Sequence, residues 1–170
     1  MKKIMLILLL APLISWSQKQ DVYIKLTDVK GSPINGDVTV RGFEKNLYAL
    51  TIATSGRNNS QVSFTMEITG ASAELKKAMS NGEFLMTGLV SVIQPRSTGM
   101  PSVLYTIKME KIKVLSCNES MGCNSAMTTS VSMQPVRIGW TYYQTGRNGA
   151  QTVSNKYGFD SETGGAWNNF

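Results

Sequence analysis

The strict alternation of apolar and polar residues is the feature that most constrains this fold. It is clearest at Val62, Phe64, Met66 and Ile68, with polar side chains between them. Successive side chains of a β-strand point to opposite faces, so this spacing predicts strands with one buried face. Similar runs near 22–26, 103–109 and 131–142 are separated by Gly, Pro and Asn turns. The chain is therefore predicted to be mainly β, a small β-barrel of two packed antiparallel sheets.

The pattern also predicts the positions of two early strands and of one irregularity in a later strand. Val38 and Val40 are predicted to begin the second strand, and a third strand carries its apolar side chains at Tyr48, Leu50 and Ile52. Farther along, the apolar phase that ends at Met109 resumes one residue out of step at Ile112 and Val114. That shift predicts a β-bulge near Glu110–Lys111.

One segment has the period of a helix instead. Its apolar residues, three and four positions apart, form one face and are Leu75, Ala78 and Met79. Ser72 is predicted to cap the helix, Glu74 to lie in its first turn and Gly82 to end it. We predict a single α-helix over about Ser72–Asn81, flanking the barrel.

The N-terminal residues have the three parts of a secretory signal peptide. Lys2 and Lys3 precede the apolar run 4–14, and the small residues Ser15 and Ser17 follow it. The sequence predicts cleavage between Ser17 and Gln18, because small residues occupy the positions that signal peptidase requires. The run is shorter than the roughly 20 residues of a membrane span, so no membrane insertion is expected after cleavage.

Removal of the signal peptide leaves a mature chain that reads as one domain. Residues 18–170 are a single domain length, with a Gly/Asn-rich C-terminal tail after Thr145. The formal net charge falls from +6 to +4, because the signal peptide contains two lysines and no acid. The positive charges form no stripe with interleaved aromatic residues, which argues against nucleic-acid binding. The mature protein is predicted to be secreted or periplasmic.

The two cysteines, Cys117 and Cys123, have five residues between them in this predicted exported chain. An even pair in an oxidising compartment favours a structural disulfide. Free thiols in a loop, or a redox pair, are the alternatives. Redox pairs typically have two intervening residues.

The composition argues against an enzyme. The chain contains no histidine, which excludes Ser-His-Asp and Cys-His catalysis and imidazole-ligated zinc. Two cysteines cannot form a four-thiolate metal site, no Gly-rich loop opens a helix for phosphate, and the carboxylates form no paired motif. We therefore predict no catalytic residues, no cofactor and no metal.

Four stretches of the chain follow one another in a specific order: an opening strand and Lys-Gly turn at 22–31, a strand and helix at 62–82, the shifted strand at 105–116, and closing strands at 131–142 and 156–160. In this order and spacing they resemble the haemolysin-coregulated protein (Hcp) family of bacterial type VI secretion. The resemblance implies a barrel with a flanking helix. It also implies a non-enzymatic tube protein that forms six-membered rings, which stack, carry effectors and are themselves expelled.

Three departures from the family pattern affect these expectations. Typical members have no signal peptide, the loop at 32–37 is short and lacks histidine, and the loop at 55–61 is reduced. The loop at 32–37 corresponds to one that helps rings to stack in the family, so ring formation is expected to survive better than stacking. The expected partners are further copies of the chain in a homo-hexamer, secreted effectors and other type VI components. The alternative is an exported, non-enzymatic binding module that forms no tube.

Overall fold

The strands predicted from alternation form one hydrogen-bonded antiparallel sheet. A computed structural model describes residues 19–55, 60–96, 101–121, 126–146 and 149–170. In chain order its elements are β1 (Asp21–Thr27), β2 (Pro33–Ile34), β3 (Leu47–Ala49), β4 (Thr51–Ser55), β5 (Gln61–Glu67), α1 (Gly70–Asn81), β6 (Phe84–Gln94), β7 (Ser102–Ser120), β8 (Thr128–Thr145), β9 (Gln151–Asp160) and β10 (Gly165–Ala166).

The two longest strands, β7 and β8, pair with each other and organise the sheet. The main path runs β10-β9-β8-β7-β6-β1-β2. Because β7 occupies one edge of β8, the other edge is shared by two strands. β5 pairs there with the segment Thr128–Met133, and β9 pairs with Arg137–Thr145. The far end of β8 therefore forms a ribbon with β9 beyond the position of β5.

The sheet curls toward closure at Leu50. β3 pairs with β1 and β4 pairs with β5, and Leu50 alone separates β3 from β4. The Leu50 N–H donates to the carbonyl oxygen of Thr65 at 2.7 Å. Within the described residues, the strand ladder does not close completely. The prediction of a mainly β antiparallel fold with one flanking helix is confirmed, and strand pairing joins the two expected sheets into one.

The core follows the predicted alternation of β5 and corrects that of β3. Val62, Phe64 and Met66 are buried, as their spacing indicates. The predicted third strand forms, but it is divided at Leu50 into β3 and β4. The phase of its first part was wrong, because Tyr48 and Leu50 are exposed while Leu47 and Ala49 face the core. Residues 47–50 are all apolar or aromatic, so alternation alone does not show which of these side chains face the core.

Two further predictions change in detail. Val38 and Val40 form no strand; they lie in the irregular segment between β2 and β3. Lys111 has a φ of 49°, and the apolar phase changes there as predicted. However, the register of β6 and β7 does not change there, because each strand has one residue between the pairs Glu110–Thr87 and Ile112–Leu85. A residue in the left-handed conformation, and not an extra residue, therefore shifts the phase.

The helix begins two residues earlier than predicted. α1 spans Gly70–Asn81, with Thr69 as its N-cap and Gly82 ending it in the left-handed conformation. Ser72 is the third helical residue, and its hydroxyl accepts from the Thr69 N–H at 3.2 Å. The prediction that Ser72 itself caps was wrong, and so was the placing of Glu74, because the first turn contains no acidic residue. Leu75 and Ala78 are buried, which confirms the predicted face.

Candidate assembly surface

Of the site residues predicted from the sequence, one lies within the described part of the chain. Ser17 and Gln18, the predicted cleavage site, are outside the described residues, and so is Cys123. Cys117 lies on β7 under α1, where it is buried and carries a free thiol. Its Sγ atom lies 3.9 Å from the carbonyl oxygen of Ser72. Burial raises the pKa of the Cys117 thiol, with nearby Lys76 opposing the rise. The described residues contain no disulfide bond, and because Cys123 lies outside them the pairing of Cys117 with Cys123 stays a prediction.

An ionic cluster of three side chains joins β7, β8 and β9. Arg137 Nε donates to Asp160 Oδ2 at 2.9 Å, and Arg137 Nη1 lies 3.4 Å from Glu110 Oε2. Asp160 Oδ1 accepts the backbone N–H groups of Glu162 and Thr163, which fixes the turn after β9. The hydrogen bond from Arg137 is the main cause of the lowered pKa of Asp160. Because the hydrogen bond from Arg137 keeps Asp160 ionised, this carboxylate is better suited to holding β8 and β9 together than to transferring a proton.

The described part of the chain holds no cluster of His, Cys, Asp and Glu that would bind a metal ion. In the same residues, no helix has the length and apolar character that crossing a membrane requires. The other candidate sites in these residues are exposed apolar surfaces on the strands.

The first of these surfaces is the ribbon of β8 and β9. β10 pairs only with Phe159 and Asp160, so in the described residues the outer edge of β9 from Gln151 to Tyr157 meets no further strand. Seven consecutive β9 residues in this stretch are exposed. An exposed strand edge offers unpaired backbone groups to another chain.

One side of the ribbon carries a row of aromatic residues, which we call the aromatic face: Tyr105, Trp140, Tyr142 and Tyr157. Cross-strand pairing holds the rings together, with centroids 5.5 Å apart for Tyr105–Tyr142 and 5.9 Å apart for Trp140–Tyr157. The core face of β7 and β8 continues into this row, since Ile107 is buried opposite Trp140. Tyr142 is 46% exposed and Tyr157 is 60% exposed, so the apolar face extends past the edge of the core into solvent.

The opposite side of the ribbon is covered by the C-terminal segment. Trp167 is only 8% exposed, and its ring lies tilted against that of Phe170 with ring centroids 4.9 Å apart. Phe170 packs over Gly139 and Gly158, where an added Cβ atom would overlap its ring, and at Gly158 the added atom would also overlap the Trp167 carbonyl oxygen. Lys156 Nζ lies 4.2 Å from the Phe170 ring centroid. Glycine at both positions therefore makes the groove that the tail fills.

A second apolar surface, which we call the β6 patch, lies on another part of the sheet. Its members are Phe84, Met86 and Leu89, all exposed on β6. Phe84 and Met86 are 47% and 54% exposed. Grouped apolar exposure of this kind marks an interaction site more often than single exposed residues do. One chain thus carries two different apolar surfaces, which is the requirement for a head-to-tail contact between identical subunits.

Sequence reasoning did not find either surface. Trp140 and Tyr142 fall within the alternating run 131–142, whose spacing by itself predicts a buried face. The length of β8 is the reason: this strand has 18 residues, and its last residues extend past the core. Tyr157 falls opposite Trp140 only once the register of β8 and β9 is known.

Comparison with known proteins agrees with the fold. A family described as "Type VI secretion system effector, Hcp" matches residues 23–142. No curated protein sequence matches the chain.

Solved structures resemble most of the chain at low sequence identity. Hcp1 from Salmonella typhimurium is 14% identical with a TM-score of 0.72, and the match covers 87% of this chain and 99% of that one. Hcp1 from E. coli EAEC 042 is 22% identical with a TM-score of 0.65, over 79% and 97% of the two chains. Secreted protein Hcp3 from Pseudomonas aeruginosa is 17% identical with a TM-score of 0.63, over 81% and 98%. At these identities the structures establish the fold, and the family match over residues 23–142 establishes that the chain belongs to the Hcp family of type VI secretion effectors.

Proposed function

We propose that this chain is a non-enzymatic structural subunit of type VI secretion that assembles head to tail into a ring. The observation that carries the proposal is the presence of two separate exposed apolar surfaces on one subunit, the aromatic face and the β6 patch. A ring closes when one surface of each copy binds a different surface of the next. Six is the copy number that the family resemblance implies.

The open edge of β9 supports the same arrangement. That edge can pair with a strand of another copy, and the aromatic face lies beside it on the same ribbon. Strand edges that stay exposed in a monomer favour uncontrolled aggregation. Burial of the ribbon in a subunit contact would remove that hazard and would shield Tyr142 and Tyr157 from water.

The proposal includes export of the mature chain. Residues 1–17 would be removed between Ser17 and Gln18, and the ring would act in the periplasm or outside the cell. Its partners would be other copies of itself, together with secreted effectors or further type VI components. The absence of histidine from the sequence supports a structural role over a catalytic one.

Native mass spectrometry of purified variants tests the ring. Tyr157→Asp places a charge on the aromatic face, and Met86→Asp places one on the β6 patch. We expect each to convert the hexamer into a monomer with unchanged circular dichroism, because an unpaired charge is costly at a desolvated contact. Met121→Asp is the matched control, since Met121 is 70% exposed outside both surfaces and its variant should remain hexameric. A wild-type protein that is monomeric at micromolar concentration would contradict the proposal.

A further inference from the structure

A cavity of about 480 Å³ lies between the irregular segment 35–46 and the strands β1, β3 and β5. Its volume falls within the range of ordinary ligand sites, roughly 300–1,000 Å³. The buried side chains of Tyr23, Leu47 and Met66 line it, so part of the wall is apolar. The cavity is separate from both the aromatic face and the β6 patch, and it shares no residue with either.

The segment over the cavity is fixed by specific contacts. Phe43 stacks on Tyr23 with ring centroids 4.9 Å apart, which anchors the segment to β1. The Lys45 N–H donates to the Val38 carbonyl oxygen at 2.8 Å. At Gly36, an added Cβ atom would overlap the backbone of Asn46, so only glycine allows the two sides of the segment to approach so closely. The cavity is therefore a formed feature of the fold.

The charge of the cavity is opposite to that of the chain. Asp21, Asp37 and Glu67 line it and are opposed by one cation, Lys19. The chain as a whole has a formal net charge of +6. Lys19 lies 3.9 Å from Asp21 and its side chain is 78% exposed, so it neutralises the cavity weakly. A concentration of negative charge on a basic protein favours a cationic ligand.

A tyrosine adds a second means of binding a cation. Tyr48 is partly exposed and lines the cavity, and its hydroxyl donates to Asp21 Oδ1 at 3.1 Å. Burial and that hydrogen bond raise the pKa of Tyr48. A guanidinium or ammonium group can lie over an aromatic ring while a carboxylate accepts its hydrogen bonds.

From this geometry we infer that the cavity binds a lysine or arginine side chain presented by a peptide segment of a partner protein. The aliphatic stem would lie on Leu47 and Met66, and the charged head would lie among Asp21, Asp37 and Glu67. Within the described chain these carboxylates form no metal-binding group, which favours an extended organic cation over a metal ion. The inference is independent of ring assembly, because it involves neither apolar surface.

The test uses the mature protein and two acetylated, amidated pentapeptides. One has the sequence Gly-Ser-Arg-Ser-Gly, and the other carries citrulline, an uncharged isostere, in place of arginine. Binding is followed by amide chemical-shift changes in two-dimensional NMR. We expect saturable shifts around Tyr48 with the arginine peptide, binding at least about tenfold weaker with citrulline, and weakening by added salt. Equal binding of the two peptides, or no saturable shift near Tyr48, would overturn the inference.

Variants separate this site from a general charge effect. Glu67→Gln and Asp37→Asn are each expected to weaken the arginine peptide several-fold, while Glu74→Gln, an exposed acid on α1, leaves binding unchanged. An equal loss in all three variants would show that only net charge matters and would contradict a built site. Native mass of the same variants should remain that of wild type, so failure of peptide binding and failure of ring assembly are distinguishable.

Discussion

The fit between the C-terminal segment and the two glycines yields a quantitative prediction. In Gly158→Ala, the new methyl group would overlap the backbone carbonyl oxygen of Trp167, and no side-chain rotation can relieve that contact. In Gly139→Ala, the overlap is with the ring of Phe170, at 2.5 Å from its nearest atoms. That overlap is with side-chain atoms alone, and the ring can rotate aside. The two substitutions are chemically identical but should differ in cost.

The magnitude follows from what Gly158→Ala displaces. Trp167 is 8% exposed, and a buried tryptophan removes roughly 150–250 Å² from water. At about 25 cal/mol per Å², this burial is worth about 4–6 kcal/mol before the entropy of ordering the tail is subtracted. We therefore expect Gly158→Ala to lower the free energy of unfolding by about 2–3 kcal/mol. Gly139→Ala should lower it by about 1 kcal/mol, because only one ring moves.

Urea unfolding followed by circular dichroism measures both losses. With a slope of about 2 kcal/mol per molar, Gly158→Ala should lower the midpoint by about 1 M and Gly139→Ala by about half of that. A chain that ends at Gly164 is the control, because Gly158→Ala should cost little once Trp167 is absent. Equal losses for the two variants, or an undiminished loss in the shortened chain, would refute the packing argument.

Three further predictions concern the core, the ionic cluster and maturation. Leu75→Ala removes a fully buried side chain of α1 and should cost about 2–5 kcal/mol in urea unfolding, whereas Ala73→Ser, at an exposed position of the same helix, should cost under about 1 kcal/mol. The pKa of Asp160 is lowered in the fold, so its contribution is present above the unfolded pKa and is lost as the pH falls through the folded value. Asp160→Asn should therefore unfold at a lower urea concentration at pH 7 and lose less stability on acidification than wild type, and parallel pH profiles would contradict this. Intact mass of the exported protein should correspond to a chain that begins at Gln18 and is two hydrogens lighter than its reduced form; a chain that begins at Met1, or an unchanged mass on reduction, would contradict the signal peptide or the disulfide.

Local patterns predicted the helix well because its determinants are close in sequence. The spacing of Leu75 and Ala78 specified the buried face, and Gly82 specified the end. The start was misplaced because Ser72 also stabilises a helix N-terminus from the third helical position, where its hydroxyl bonds back to Thr69. Both positions favour serine, so the sequence alone did not distinguish them.

The surfaces could not be predicted because they depend on register between distant segments. Tyr157 joins Trp140, and Asp160 joins Arg137, only through the pairing of β8 with β9. The cavity needs contact between residues near 21, 37 and 67, which no local pattern connects. The exposed phase of Tyr48 had the same origin, since pairing of β3 with β1 decides which side faces the core.

The most direct test of head-to-tail assembly is native mass spectrometry of a mixture of two monomeric variants. Tyr157→Asp keeps an intact β6 patch, and Met86→Asp keeps an intact aromatic face, so the mixture retains one complete contact between unlike subunits. The account predicts that each variant alone is a monomer and that the equimolar mixture forms a heterodimer that goes no further. A mixture that stays monomeric, or variants that remain hexameric alone, would contradict the claim that these two surfaces bind each other.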